Sequence, residues 1–534
     1  MPILLFACRG VPPGDTPEDS AAPESPDSVE TIGEAGAPAD SGCGLVSDLT
    51  DANFLEGDTV HLTVACSGTL ATDDALVALV RGPPGASFDA DTRTFRWETS
   101  PADGGRIDLV FSILPREGEI RDGEIPDSDT LTFWVADNPA RADNVAVDPA
   151  AYTEEWGLPV VHIETAATLG TAAYADATVT WHGRAYPAGV QIHGKTSSHY
   201  PKLSYALKFD AEELPIEAWD VTRDHLFLIT TFDDNSYVRQ KFVYDLWAAI
   251  AAYRGQARLT PRAFFTVVYM NGSYLGLYVG EDRVDNEFLD QMGFERDANL
   301  YKAVESDANF ALTDVYGVAK TVLHQGYEKV EGEPADDFAD LDALVGFTGS
   351  STSAELIAGS GDWLDLDELM DAYLLLFYTN AEDSYTKNMF LYHPPAGGRF
   401  RYVPWDFNAS WGQNWRTYRV AASFEDDGAA ENRIFWAMRD DAGADASLWA
   451  RFAELRSLGP LALSWQTATL DTYFARIDRS AQRDWDVWGP SYRTYHNWVD
   501  RREERADWTD YQGEKAYLYQ WVADRAAYFE AAHP

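Results

Sequence analysis

Short segments in which hydrophobic and polar residues alternate fill the chain from residue 43 to residue 138. A repeat of two is the pattern of a β-strand with one buried face, and clusters of Gly and Pro separate the segments. Several short strands at this spacing are typical of an antiparallel β-sandwich. The alternating segments cover residues 59–66, 75–82, 92–99, 106–114 and 130–137.

Within this region, residues 83–97 are similar to the middle of bacterial Ig-like and cadherin-like repeats. The resemblance implies an all-β, Ig-like sandwich over residues 43–138, which would serve for spacing or adhesion. Cys43 and Cys66 lie inside it and are free to form a disulfide in an oxidising compartment, with two unpaired buried thiols as the alternative. Its acidic loops are candidate calcium ligands, although a solvated charged loop is the preferred explanation.

Both helical and strand periodicities occur from residue 145 onwards, which predicts an α+β fold class. Strands are predicted over residues 158–163, 177–181 and 190–193. Residues 303–352 are acidic and in places Gly-rich, and we expect helical insertions with a loop there. The other predicted elements are hairpins over residues 263–279 and 389–405, and helices over residues 234–252, 284–292, 364–379, 447–458, 461–482 and 514–532.

The first 42 residues have a different composition. Residues 1–8 form a short apolar run that ends in Cys8 and resembles the end of a bacterial lipoprotein signal, with an unmodified cysteine as the alternative. Residues 9–42 are rich in Pro, Asp, Glu and Ser and poor in bulky apolar residues, so we expect a disordered linker. Together they predict an extracytoplasmic lipoprotein, at the outer membrane or cell surface, held to the membrane only by a lipid on Cys8.

Acidic residues strongly outnumber basic ones, with 87 Asp and Glu against 41 Lys and Arg and a formal net charge of -46. Such a chain repels nucleic acids and anionic membrane surfaces, so both are poor candidates for partners. The 534 residues are 46% hydrophobic and include 18 Trp, which suffices for two or three domains with large cores.

The candidate chemistry lies between residues 383 and 408. Asp383 and Asn388 are five positions apart and follow an apolar segment. This is the D-x-x-x-x-N spacing of a kinase catalytic loop, in which a carboxylate takes a hydroxyl proton and an amide holds a metal. The hairpin over residues 389–405 returns the chain and delivers Asp406 beside that loop. Two carboxylates and an amide are what a Mg-nucleotide site requires.

Residues 189–196 satisfy the Walker A formula G-x-x-x-x-G-K-[ST]. A P-loop, however, runs from a strand into a helix whose N-terminus faces the phosphates. Here the intervening residues are themselves strand-like, and a turn and another strand follow Thr196. We therefore predict a β-hairpin whose tip, residues 194–198, offers backbone N–H groups, hydroxyls and Lys195 to phosphates.

Several segments resemble the CotH family of atypical kinases, the spore-coat-protein-H-like proteins. The stretch from Val190 to Phe209 is similar to the family's R-G-x-S-S-x-x-x-P-K-K-S-Y-x-L-K-F signature. The likeness follows the family's order over roughly residues 145–534. It implies an atypical protein-kinase-like domain with an N-lobe over about residues 145–283 and a C-lobe over about residues 284–534. The other matching segments are residues 274–281, 299–302 and 383–408.

The resemblance implies a role for each candidate residue. Asp383 would be the general base, and Lys387 would neutralise charge on the γ-phosphate. Asn388, Asp406 and Asn408 would bind Mg through oxygen atoms. A helix C-cap for Asp383 and a turn amide for Asn388 are the purely structural alternatives. The candidates for binding the ATP cofactor are Gly194, Lys195, Ser197, Ser198, Lys202, Lys208 and Glu281.

Three of those assignments stay open. Lys195, Lys202 and Lys208 compete to be the lysine that holds the phosphates. Glu281 is either at the hinge between the lobes, where adenine would bind, or a carboxylate at a helix entry. The predicted helix over residues 234–252 contains no Glu to pair with the ATP lysine, so another Glu would have to replace it, and the candidates are Glu212, Glu213 and Glu217.

One departure from the family concerns the metal site. Many family members carry Asp where this chain has Asn408, and an amide adds no charge to a metal site. The expected function is an exported kinase that transfers phosphate from a Mg-bound nucleoside triphosphate to Ser or Thr of a surface or secreted protein. The alternative is a catalytically inactive cell-surface adhesion or binding protein built on the same scaffold.

Overall fold

The computed structural model describes residues 43–48, 53–55, 57–68, 75–83, 85–99, 105–115, 127–136, 147–426, 428–495 and 509–533. Strands fill the described residues up to residue 136, and helices and strands mix from residue 147 onwards. The chain therefore contains the α+β mixture that the sequence predicts. The predictions for the linker and for Cys8 lie outside the described residues.

Two four-stranded sheets occupy the described residues before residue 137, and their buried side chains form one apolar cluster. In β3, Val60, Leu62 and Val64 are fully buried, as the alternating pattern predicts. A disulfide joins Cys43 to Cys66 across the pairing of β1 with β3. The sheet orders are β1-β3-β6-β5 and β2-β8-β7-β4, with β1 (Cys43–Ser47), β2 (Asn53–Leu55), β3 (Thr59–Gly68), β4 (Ala75–Arg81), β5 (Ser87–Asp89), β6 (Thr94–Glu98), β7 (Gly105–Pro115) and β8 (Asp127–Ala136).

An eight-stranded sheet follows, in the order β11-β12-β13-β16-β18-β17-β10-β9. Because β11 also pairs with β10, the sheet closes into a ring filled by apolar side chains such as Val161, Val190 and Leu207. Ala206 and Phe227 belong instead to an apolar cluster outside the ring. The strands are β9 (Glu154–Glu155), β10 (Leu158–Glu164), β11 (Ala175–Trp181), β12 (Arg184–His193), β13 (Ser204–Lys208), β16 (His225–Thr230), β17 (Ala263–Met270) and β18 (Ser273–Glu281), while β14 (Leu214–Ile216) and β15 (Val221–Arg223) form a separate pair.

The predicted hairpin between β17 and β18 is confirmed, and its turn explains why it forms. Asn271 and Gly272 both have positive φ angles, 51° and 77°. Two left-handed residues are what a tight hairpin turn with the right twist requires, and Asn-Gly adopts that conformation most readily.

Helix α1 (Arg239–Arg254) begins later than its apolar pattern suggested. Asp234, which the sequence offered as a cap, instead holds a turn before the helix by accepting hydrogen bonds from the N–H groups of Ser236 and Arg239. The helix packs Phe242 and Trp247 into the main core and ends at Gly255, whose φ of 63° is the left-handed conformation of a helix C-cap.

A four-stranded sheet and the remaining helices complete the chain. The predicted hairpin is confirmed as β21 (Met389–His393) and β22 (Arg401–Pro404), which join β19 (Asn299–Ala303) and β20 (Tyr327–Glu331) in the order β20-β19-β21-β22. The helices are α2 (Asn286–Gln291), α3 (Ala339–Ser350), α4 (Ser353–Gly359), α5 (Leu366–Thr379), α6 (Arg433–Asp440), α7 (Ala442–Ser457), α8 (Leu463–Thr494) and α9 (Tyr511–Ala532).

Two sequence predictions need correction here. Residues 303–352 are not only helices and a loop, since β20 lies among them and pairs with β19 in the four-stranded sheet β20-β19-β21-β22. Helix α8 continues well past residue 482, through Pro490, to Thr494. Among the described residues, the helices are all too short or too polar to cross a membrane.

Candidate active site

The loop after helix α5 holds the first group of candidate residues. The left-handed backbone of Asn380 (φ 57°) ends the helix, so the helix C-cap is Asn380 and the structural alternative for Asp383 is wrong. Asp383 lies one turn further along the chain. Its carboxylate accepts a hydrogen bond from Asn388 Nδ2 at 3.1 Å and pairs with Lys387 Nζ at 2.9 Å. The three predicted loop residues therefore form one connected cluster.

Asn388 is held rigidly at the entry to β21. Its N–H donates to the carbonyl of Ala303 at 3.2 Å, and its backbone is left-handed, with φ of 56°. Left-handed conformations of residues other than Gly cost about 1–3 kcal/mol and cluster at functional sites. Since Nδ2 points to Asp383, Oδ1 of Asn388 accepts no hydrogen bond from the described residues. This oxygen is available to a metal.

Asp406 follows β22 and is the second left-handed residue of the site, with φ of 58°. Its N–H donates to Tyr244 Oη on α1 at 3.3 Å, while its half-buried carboxylate meets no hydrogen-bond donor within the described part of the chain. Burial first, and then the negative charge of Asp383, raise the pKa of Asp406 to about 6, against the opposing charges of Lys302 and Lys387. The carboxyls of Asp383 and Asp406 are thus close enough to repel each other.

Lys302 on β19 is a site residue that the sequence did not reveal. Its half-buried ammonium lies 5.5 Å from the ring centre of Trp405 and 5.6 Å from that of Phe390. Within the described residues it makes no ion pair within 4.0 Å. Burial lowers the pKa of Lys302, and the charges of Asp406 and Glu281 oppose this shift. A positive charge held by aromatic faces beside two carboxyl groups suits an anionic phosphate ligand. The signal present in the sequence was a single Lys after the apolar residues Leu300 and Tyr301 of a short strand.

Aromatic side chains line the same region on the side of the ring-shaped sheet. His193 stacks on Phe227 with ring centres 4.2 Å apart, and Phe227 meets Trp405 edge to face at 6.0 Å. Burial, followed by the charges of Lys302 and Arg283, lowers the pKa of His193 to about 4. The imidazole is therefore neutral at pH 7 and extends an uncharged, planar wall next to the cations.

Glu281 lies at the end of β18 and is fully buried against helix α1. It accepts hydrogen bonds from Tyr244 Oη and from Gln240 Nε2. Burial raises its pKa to about 8, and the neighbouring Asp406 and Asp282 add to the shift. The cap of helix α2 is Asp285, which accepts from the N–H of Phe288, so Glu281 is not a helix-entry carboxylate.

The three glutamates suggested as substitutes for a missing Glu on α1 lie elsewhere, and this prediction is corrected. Each is on the surface around β11, β14 and β15 and has a local partner. These partners are Arg184 for Glu212, Thr222 for Glu213 and Trp181 for Glu217. Glu281, by contrast, contacts α1 directly through Tyr244 and Gln240.

We expect the stability of the wild type to fall with rising pH relative to a Glu281→Gln variant. The folded pKa of about 8 exceeds the ordinary value of 4.5, so the folded protein keeps a proton that the unfolded chain releases between these values. The contribution of Glu281 to the free energy of unfolding is therefore largest at low pH. Across that window, the free energy of unfolding of the wild type should fall relative to that of Glu281→Gln by about 1.4 kcal/mol per pH unit. Urea unfolding with EDTA at about pH 5 to about pH 8 measures it. Glu212→Gln, an exposed glutamate, is the control, and equal slopes for wild type and Glu281→Gln would contradict the prediction.

A second buried carboxylate, Asp233, lies beside Asn408 and was missed by the sequence analysis. Asn408 Nδ2 donates to Asp233 Oδ2 at 2.5 Å, and Tyr200 Oη donates to the same oxygen at 3.1 Å. Burial, Asp406 and then Asp234 raise the pKa of Asp233 to about 7. Oδ1 of Asp233 and Oδ1 of Asn408 accept no hydrogen bond from a side chain of the described residues, which leaves two further oxygens near Asp406 for a metal.

The hairpin tip has the predicted shape. Strands β12 and β13 pair antiparallel, and a single 3-10 turn (Ser197–His199) lies between them instead of an α-helix, as expected for a tip that is not a P-loop. Gly194 has φ of 101°, and a Cβ there would overlap Ser197 Oγ. Ser198 Oγ donates to the carbonyl of Lys195, and the exposed Lys195 ammonium pairs with Glu305 at 2.7 Å. In the described part of the chain, no hydrogen bond or ion pair links this tip to Asp406.

Lys202 and Lys208 have very different surroundings. Strand β13 begins only at Ser204, so Lys202 precedes it and its ammonium is fully buried. Lys202 Nζ donates to Asp484 Oδ2 at 2.6 Å and to the carbonyl of Leu277 at 2.5 Å, which leaves it committed to the fold. Lys208 is partly exposed and pairs with Asp210 at 2.7 Å. The prediction that Lys202 binds phosphate is therefore wrong, because its ammonium is buried and already bound to Asp484.

A family model described as CotH kinase protein matches residues 190–529, more than half of the chain. The inner spore coat protein H of Bacillus subtilis (strain 168) is 30% identical over 200 residues. That alignment covers 37% of this chain and 53% of the relative, so the chain spans about half the length of the curated relative it matches. All the candidate catalytic, nucleotide-binding and metal-binding residues fall inside the matched range.

Likeness to solved structures is slight. An endo-fucoidan hydrolase, MfFcnA4 from glycoside hydrolase family 107, is 11% identical with a TM-score of 0.14, covering 30% of this chain and 25% of that chain. A variant of the same hydrolase gives 10% identity and a TM-score of 0.13. These scores are too low to support a conclusion about fold or function.

Proposed function

This chain belongs to the CotH kinase protein family, and from this premise we propose that it is an exported protein kinase. It transfers the γ-phosphoryl group of a Mg-bound nucleoside triphosphate, such as ATP, to a Ser or Thr of a surface or secreted protein. The observation that carries the proposal is the carboxylate of Asp406, which has no donor in the described residues and lies near both the Asp383–Asn388 pair and the ammonium of Lys302. The domain around this site is proposed to be a two-lobed, kinase-like fold.

The donor set fits a divalent cation. Asp406, Asn388 and Asn408 present oxygen atoms that accept no hydrogen bond from the described protein, and hard cations such as Mg²⁺ prefer carboxylate and amide oxygens. A burial-raised pKa at Asp406 also means that its negative charge is poorly compensated. When bound, the ion would neutralise phosphate charge and align the phosphates.

The chain's own residues then divide the work. Asp383, held by Asn388, accepts the proton of the acceptor hydroxyl as its oxygen forms the new bond to phosphorus. The bond from phosphorus to the bridging oxygen breaks, and the products are a nucleoside diphosphate and a phosphorylated Ser or Thr. Lys302 binds phosphate oxygens, and Lys387 lies beside Asp383 to offset charge. His193 and Phe227 offer an aromatic wall for the nucleotide.

A catalytically inactive binding protein is the second candidate. It is favoured by one observation, that both carboxylate oxygens of Asp383 already have partners, Lys387 on Oδ1 and Asn388 on Oδ2. Incubation of the purified protein with labelled ATP and Mg²⁺ or Mn²⁺ distinguishes the two. Label transfer to the protein itself or to casein supports the kinase. Nucleotide binding without transfer supports the binding protein.

The region before residue 137 is proposed to be an Ig-like spacer that carries the catalytic part away from a membrane anchor. Its two sheets with a common core support this, and the Cys43–Cys66 disulfide is suited to an oxidising, extracytoplasmic compartment. The anchor would be a lipid on Cys8.

We expect cells grown with labelled palmitate to label the wild-type protein and not a Cys8→Ser variant, because a lipoprotein carries its acyl chains on that cysteine. Fluorography of the immunoprecipitated protein measures the label. Cys43→Ser is the matched control, since it removes a different cysteine and should keep the lipid. Equal labelling of wild type and Cys8→Ser would contradict the anchor.

A further inference from the structure

We propose that Asp233 supplies the second carboxylate of the metal site, so that it joins Asp406, Asn408 and Asn388 in holding the ion. The inference rests on the proposed function, because it concerns the same ion. It goes beyond that function in naming a residue that lies far from the kinase-like motifs in the sequence, on the segment between β16 and α1. Asp233 and Asn408 are 175 positions apart along the chain and are joined by a direct hydrogen bond.

The contacts of Asp233 leave one oxygen for a ligand. Its two side-chain donors, Asn408 Nδ2 and Tyr200 Oη, both bind Oδ2, and they are neutral. Asp233 is buried, with 8% of the residue exposed, yet no Lys or Arg of the described residues forms an ion pair with it within 4.0 Å. Burying a carboxylate without a cation is costly, so this position calls for a positive charge.

The adjacent Asp234 shows the contrast. Its carboxylate is matched by the buried Arg239, with Nη1 at 2.5 Å, and accepts from Ser236 Oγ at 2.6 Å. Arg239 in turn pairs with Glu514 of helix α9. The charge of Asp234 is therefore neutralised by an ion pair, whereas Asp233 has no ion pair with a described residue.

The backbone of Asp233 is fixed in place for this role. Its carbonyl accepts from Gln413 Nε2 at 2.7 Å, and Gln413 Nε2 also approaches the carbonyl of Asn408 at 3.4 Å. One amide thus ties the two segments together. Because Asn408 uses its Nδ2 to reach Asp233, the free oxygens of the two side chains belong to one hydrogen-bonded unit.

This arrangement gives a reason for an amide at position 408. An Asn there can donate to Asp233, whereas an Asp could not and would place a third negative group next to Asp233 and Asp406. The pair Asp233–Asn408 carries one carboxylate and one amide. Exchanging the two residue types should therefore keep the charge and the hydrogen bond of the site.

The test measures Mn²⁺ binding to the full-length protein by electron paramagnetic resonance, with Mn²⁺ alone and with a non-hydrolysable ATP analogue. We expect Asp233→Asn to weaken Mn²⁺ binding about 10–100-fold, the loss usual for a residue that supports a metal site. The exchange variant Asp233→Asn/Asn408→Asp should recover most of the affinity. Asp210→Asn, which removes one exposed carboxylate and the same net charge, is the control and should bind like wild type.

The outcomes separate the inference from the proposed function. Mn²⁺ binding by wild type and Asp233→Asn with equal affinity would overturn the inference and leave the proposed function standing. Absence of Mn²⁺ binding in the wild type under both conditions would overturn both. Should Asp233→Asn fail to fold, Asn408→Asp decides: added Mn²⁺ should raise its melting temperature more than that of wild type, and an equal or smaller rise would overturn the inference.

Discussion

Replacing Asp383 with Asn should lower phosphotransfer by about 10²–10⁴-fold, the contribution usual for a positioned general base. The amide keeps the shape of the side chain, and its oxygen can still accept a hydrogen bond from Asn388 Nδ2. In the wild type this nitrogen lies 3.1 Å from Oδ2 of Asp383. The amide cannot accept the proton of the acceptor hydroxyl. Nucleotide affinity should stay nearly unchanged, because Lys302 and Asp406 are untouched. Single-turnover transfer from labelled ATP and equilibrium nucleotide binding measure the two quantities.

The matched control for this prediction is Glu382→Gln. Glu382 precedes Asp383 in the same turn, is half-buried, and makes no hydrogen bond to Asn388 within the described residues, so the variant should transfer phosphate like wild type. Transfer by Asp383→Asn at the wild-type rate would contradict the role of Asp383 and favour the inactive binding protein. A loss of nucleotide binding in the same variant would instead indicate that the loop has changed shape.

The candidate site residues that the sequence predicted are those that lie close to one another along the chain. Asp383 and Asn388 are five positions apart, and one short hairpin brings Asp406 back beside them. A hairpin is predictable because its turn residues and alternating strands are neighbours in the chain. For the same reason the β17–β18 hairpin was predicted close to its observed bounds. Helix α5 was also predicted close to its observed bounds.

Lys302 and Asp233 were missed because their roles arise only from packing. Lys302 lies in an ordinary strand, and its significance comes from Trp405 and Asp406, which are about a hundred positions further along the chain. Asp233 lies in a loop next to Asp234, and the sequence alone could not show that Arg239 neutralises only one of the two. Charge pairing in a buried site is a tertiary property.

The sequence left the choice among Lys195, Lys202 and Lys208 open for a related reason. An alternating strand places residues six apart on one face, and that argument linked Lys202 to Lys208. The strand begins only at Ser204, so the alternation does not extend to Lys202. A long helix from the C-terminal part, α8, then supplies the buried partner Asp484 for Lys202. No pattern near Lys202 in the sequence contains this information.

The Lys202–Asp484 ion pair has the second large expected effect, and it concerns stability. We expect Lys202→Met to lower the free energy of unfolding by about 3–5 kcal/mol, since it leaves a carboxylate buried without its cation. Both side chains are almost completely buried, with 0% and 3% exposure, and the pair ties β18 to helix α8. Urea unfolding followed by tryptophan fluorescence measures the change.

Two further variants make the result interpretable. Lys208→Met removes a partly exposed lysine and should change stability by less than about 0.5 kcal/mol. Lys202→Met/Asp484→Leu removes both charges and should recover much of the loss, because a well-packed apolar pair replaces a buried ion pair at little cost. A small effect of Lys202→Met accompanied by weaker nucleotide binding would return Lys202 to the phosphate site. A large loss of stability with unchanged nucleotide affinity in the folded fraction would favour the half-buried Lys302 over Lys202 as the lysine that binds phosphate.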